Sequence, residues 1–102
     1  MNLIKHINRQ IIFSIRNFGP GKRTLGLIDH IKKELNEIQD APDDLEEWID
    51  VILLAIDGAW RSGHTDKKIV DGLDAKLLKN EKRTYPDWRT ADPNKAIEHI
   101  RS

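Results

Sequence analysis

The 102-residue chain has no cysteine, one methionine, four prolines and only 6% aromatic residues, and its seventeen Lys plus Arg balance seventeen Asp plus Glu. Without cysteine there are no disulfides, no thiolate nucleophile and no Cys-type zinc site, which leaves carboxylates, four histidines and backbone oxygens as metal ligands. Any bound metal is therefore expected to be a hard cation held by oxygen. A net charge of zero argues against stable nucleic-acid binding, which depends on neutralising phosphates with Lys and Arg. No apolar run approaches the roughly 20 residues of a bilayer-spanning helix. The N-terminal stretch is interrupted by Lys5, Arg9 and Arg16 and lacks a small-residue cleavage site. The expectation is a single domain over residues 1–102, soluble and cytoplasmic, with its function carried by local charge patterning.

Strand-like alternation is absent and helical spacing recurs four times, so an all-α helical bundle is expected. The first segment, Leu3 to Asn17, repeats Ile4, Ile7, Ile11 and Ile15 and ends at Gly19-Pro20-Gly21. The second runs from Thr24, read as an N-cap, to about Gln39, with Leu27, Ile28, Ile31, Leu35 and Ile38 on one face. Asp43 or Asp44 opens the third, which continues through Arg61 to a stop at Ser62-Gly63. The fourth begins near Thr65 or Asp66 and carries Ile69, Leu73 and Leu77 up to about Arg83. Asp92-Pro93 predicts a short C-terminal helix, since Asp caps well and Pro fits the first turn.

Three polar stripes stand out at a helical advance of about 100° per residue. On the third segment Glu46, Glu47, Asp50, Asp57 and Arg61 share one narrow sector, while the rest of that helix is apolar over far more than an ordinary amphipathic stripe. Such a helix needs cover on several sides, which predicts a homo-oligomer, at least a dimer. The second segment adds Glu34 and Glu37. Two helices joined by Asp40 to Pro42 should pack antiparallel and bring these acids opposite Glu47 and Asp50. Four converging carboxylates resist joint ionisation, and Mg²⁺ or Mn²⁺ would relieve the conflict. Lys76, Asn80 and Arg83 form the third stripe, beside the apolar line of the fourth segment, with the chemistry to hold a polyphosphate. Lys22 and Arg23, after the Gly-Pro-Gly turn, are second-tier anion contacts, because the loop lacks Walker spacing. His6, His30, His64 and His99 show no ligand spacing.

Glu34 with Glu37, then Glu47 with Asp50, resembles the ExxE and ExxD signature of the MazG-like all-α NTP pyrophosphatases. The stretches FGPGKRTLGLIDHIKKELNEI, DDLEEWIDVILLAIDGAWRSG and KNEKRTYPDW are similar to the dATP/dGTP diphosphohydrolases of bacteria and their phages. Lys33, where many MazG proteins have an additional acid, and the short interval from Glu37 to Glu47 depart from the pattern. The resemblance implies Mg²⁺ on Glu34, Glu37, Glu47 and Asp50, phosphate contacts from Lys76, Asn80 and Arg83, and hydrolysis of a purine dNTP to the monophosphate and pyrophosphate. Glu34 or Glu37 would activate the water, and Glu46 or Asp57 would serve an additional metal site. Trp60, Tyr85 or Trp88 would stack on the base. The competing expectation is a non-catalytic helical interaction module whose acids are simply solvated.

Overall fold

A computed structural model describes residues 1–101 and is helical, with no strand among them. The helices are α1 (Leu3–Phe18), α2 (Thr24–Asp40), α3 (Leu45–Arg61) and α4 (Asp66–Glu81), followed by a 3₁₀ turn at Trp88–Thr90. Their limits follow local chemistry. Asn2 caps α1 by accepting a hydrogen bond from the Lys5 amide, and Asp44 caps α3 through that of Glu46. Gly19 and Gly21, at φ +83° and +82°, end α1 in conformations that cost other residues more. Thr24 is the first helical residue of α2 and not its cap; Arg23 takes the cap position with no side-chain hydrogen bond.

The chain divides into two compact units, Met1–Val70 and the part beginning at Asp71. In the first, α3 packs against both α2 and α1. Trp48 on α3 donates its indole N–H to the Pro42 carbonyl at 2.9 Å, tying the short α2–α3 connection to the helix that follows it. Ile7, Leu27 and Ile38 are the buried apolar residues among those described, Ile7 completely so. Leu45, Trp48, Ile49 and Ile52 on α3 remain exposed, so neighbouring helices of this chain leave much of α3 uncovered.

In the second unit, Asp87 caps the 3₁₀ turn and Tyr85 meets His99 edge to face. The helix expected after Asp92-Pro93 does not form. Asp92 makes only one turn, accepting from the Asn94 amide through its side chain and from the Lys95 amide through its carbonyl. A helix so short repays little of its nucleation cost, and the Ile100 amide instead donates to the Thr84 carbonyl at 2.7 Å.

The first unit is locked by a buried polar network. Asp57 Oδ2 accepts from Arg61 Nε at 3.1 Å and from the Ser14 hydroxyl at 2.9 Å, while Oδ1 accepts from the Trp60 indole at 2.6 Å. The Arg61 guanidinium also donates to the Gly19 and Gly21 carbonyls, so one side chain fixes the α1–α2 turn to the end of α3. Ser14, Asp57 and Arg61 are all buried. Arg61→Met leaves the Asp57 charge without its cation, and we expect a stability loss of about 3 kcal/mol or more, measured by urea denaturation.

Candidate metal centre

Glu34 and Glu37 lie three apart on α2, as do Glu47 and Asp50 on α3, so each helix presents its pair on one face. The packing of α2 on α3 turns those faces together. All four residues offer a carboxylate oxygen within 4.8 Å of the others. Glu34 is buried, Glu47 and Asp50 are partly so, and Glu37 is exposed, giving the cluster an inner and an outer side.

The electrostatics match this crowding. Burial raises Glu34 from the ordinary carboxylate range, reinforced by hydrogen bonding with Glu37 and the charges of Glu37 and Asp50, while His30 opposes the rise. Glu47 is pushed up to about 7, first by hydrogen bonding with Glu37, then by burial and by the charges of Glu37, Asp44 and Glu34. Glu34 Oε2 and Glu47 Oε2 are buried with no hydrogen-bond donor. Buried acceptors of this kind are costly, and either a proton or a cation satisfies them. An all-oxygen, four-carboxylate donor set fits a hard divalent ion.

The other candidates fall elsewhere. Asp57 is committed to Arg61, Ser14 and Trp60, which removes the reason to give it a metal, and Glu46 is exposed in the first turn of α3, outside the group of four. The Trp60 indole belongs to the buried network, Trp88 is exposed, and Tyr85 lies against His99. Lys22 is exposed, and Arg23 lies over the Phe18 ring at 5.5 Å. Lys76, Asn80 and Arg83 stand in the second unit, where Arg83 donates to Asn80 Oδ1 at 2.9 Å. Arg83 also lines a hollow of about 570 Å³ with Lys82, His99 and Arg101, a basic surface suited to an anion.

His30 was not singled out by spacing. Its Nε2 lies 3.3 Å from Glu34 Oε1, and both residues line a cavity of about 300 Å³ beside the acids. The signal was a histidine one helical turn before a motif glutamate.

Comparison with known proteins adds one match: a family model for dATP/dGTP pyrophosphohydrolase covers residues 6–102. The chain belongs to the dATP/dGTP pyrophosphohydrolase family. Neither the curated proteins nor the solved structures contain a match to it. Its enzyme class is thus nucleoside triphosphate pyrophosphohydrolase, and the non-catalytic module is set aside.

The crowding has a pH signature in this pyrophosphohydrolase. The folded pKa of Glu47, about 7, lies above its ordinary value of 4.5, so the native state binds the extra proton more tightly than the unfolded chain does. That contribution is complete at low pH and disappears as pH rises through about 7. The melting temperature of metal-free protein should fall between about pH 5 and about pH 8, and Glu47→Gln should flatten the fall. Differential scanning calorimetry with a chelator present checks both.

Proposed function

We propose that the chain is a Mg²⁺-dependent enzyme, with Mn²⁺ able to substitute, that hydrolyses purine deoxynucleoside triphosphates to the monophosphate and pyrophosphate. The observation that carries this reading is the convergence of Glu34, Glu37, Glu47 and Asp50 with two buried oxygens lacking donors, in a chain of this family. These four carboxylates would hold the cation, which when bound supplies charge neutralisation for the triphosphate and acidifies the attacking water. Glu34 or Glu37 takes the proton as water oxygen bonds to the α-phosphorus. The bond from the α-phosphorus to the bridging oxygen breaks, and pyrophosphate leaves with the electron pair. Glu34 lies on the inner side of the cluster and Glu37 on its exposed side, which gives Glu37 the freer access to water.

Lys76, Asn80 and Arg83 bind the phosphates in this reading. Their stripe on α4, the Arg83–Asn80 hydrogen bond and the basic hollow beside Arg83 support that role. The chain acts as one catalytic domain over residues 1–102, in the cytoplasm, without nucleic acid or a membrane as partner. Self-association into a homodimer or homotetramer is supported by the exposed apolar residues of α3.

Incubation with dGTP or dATP and Mg²⁺ should yield pyrophosphate and the monophosphate; orthophosphate with the diphosphate would refute the assignment. Glu37→Gln and Asp50→Asn should each lower kcat by about a hundredfold or more. Arg83→Ala should chiefly raise KM, by about tenfold, because its proposed contact is to phosphate in the ground state as well as the transition state. Light scattering should return a multiple of 11.8 kDa, and a monomer at micromolar concentration would exclude self-association.

A further inference from the structure

On α2 the residues His30, Glu34 and Glu37 succeed one another at helical spacing, so they fall within about 60° of one another around the helix. Glu34, in the middle, is 7% exposed, and its two carboxylate oxygens have unlike surroundings. Oε1 lies 3.3 Å from His30 Nε2, whereas Oε2 is buried with no donor. His30 and Glu34 line the cavity together with Asp50, while Glu37 and Glu47 do not, so the ring meets the cluster from the cavity side.

Imidazole is a common metal ligand, yet the His30 ring stands outside the set of ligand atoms that come within 4.8 Å of one another. Its place is beside a ligand and not among the ligands. No Lys or Arg pairs with any of the four acids among the described residues, which leaves His30 as the basic side chain in reach of them. A neutral imidazole carries one N–H, and a carboxylate with one oxygen engaged by a donor presents the other in a settled direction.

We propose that His30 is a positioning residue for the acid cluster: its Nε2–H donates to Glu34 Oε1 and so turns the unpartnered Oε2 toward the cation shared with Glu37, Glu47 and Asp50. This rests on the metal-dependent reading above and deepens it. A glutamate side chain has considerable rotamer freedom, and a neighbour that orders it beforehand spares metal binding that loss. Groups that hydrogen-bond a ligating carboxylate in this way contribute about ten- to a hundredfold to metal affinity.

Binding of Mn²⁺ to the full chain without nucleotide, followed in mildly alkaline buffer by the EPR signal of the free ion, reads this role without turnover. His30→Leu removes the donor and should raise the Kd for Mn²⁺ about tenfold or more. His30→Gln, whose amide N–H reaches a residue one turn away, should hold it within about threefold of the wild type. The His30 side chain is 52% exposed, and Leu and Gln are both good helix formers, so the contrast between the variants reports the donor and not the fold. In the unaltered protein with Mg²⁺, nitrogen-15 NMR should find the ring proton on Nε2, with His30→Leu identifying the resonance. An unchanged Kd in His30→Leu, a Gln variant as weak as the Leu variant, or an Nε2 without a proton in the metal-bound protein each overturns the positioning role, the last by making the ring a direct ligand or a bystander. A wild type that binds no Mn²⁺ removes the metal-dependent reading and the role of His30 together, whereas one that binds Mn²⁺ but fails any of these comparisons leaves that reading standing and removes His30 alone.

Discussion

Mutual repulsion among four carboxylates is the constraint around which the first unit is organised. Bringing Glu34, Glu37, Glu47 and Asp50 within 4.8 Å of one another raises the cost of ionising them together, and the chain contains no Lys or Arg paired with any of the four among the described residues. His30 beside Glu34 is the single basic partner, and it is charged only when protonated. The fold supports this unfavourable arrangement by packing α2 on α3 and by anchoring α1 through a separate polar network. Positive charge is directed to that second network: Arg61 neutralises Asp57, although the two acidic positions belong to the same helix. The inner network is complete by itself, whereas the cluster is complete only with a cation or added protons.

This division explains why equal-looking acids have different roles. Asp50 and Asp57 both sit on the polar sector of α3, two turns apart. Asp50 faces two glutamates across the α2 interface, while Asp57 meets a guanidinium one turn later in its own helix and a serine from α1. One aspartate is left with spare coordination capacity and the other is largely spoken for.

The helices and the four-acid convergence were legible from local information. Helical spacing located α1 to α4, and a connection as short as Asp40 to Pro42 leaves two helices little choice but to fold back on each other. What was not legible depended on contacts between distant positions. Arg61 reaching Gly19 and Gly21, and Gln10 reaching Leu53, have no periodicity to announce them. A helical wheel displays the sector of Asp57 but not the arginine folded onto it. The helix expected after Asp92 failed for a related reason: its cap was correct, yet the Ile100 amide found a partner at Thr84. His30 was passed over because a histidine beside one acid gives no metal-ligand spacing, and its significance arises from the cavity it shares with Glu34.

The brief α2–α3 connection also bears on the order in which the chain assembles. All four clustered acids lie between residues 34 and 50, and the Trp48–Pro42 hydrogen bond closes the corner within the same stretch. Closing so small a loop sacrifices little chain entropy, whereas docking α1 joins Gln10 to Leu53 and Ser14 to Asp57, each pair 43 positions apart. Contact order therefore favours the α2–α3 hairpin as the early-forming part, with α1 and its Gly-Pro-Gly turn added afterwards.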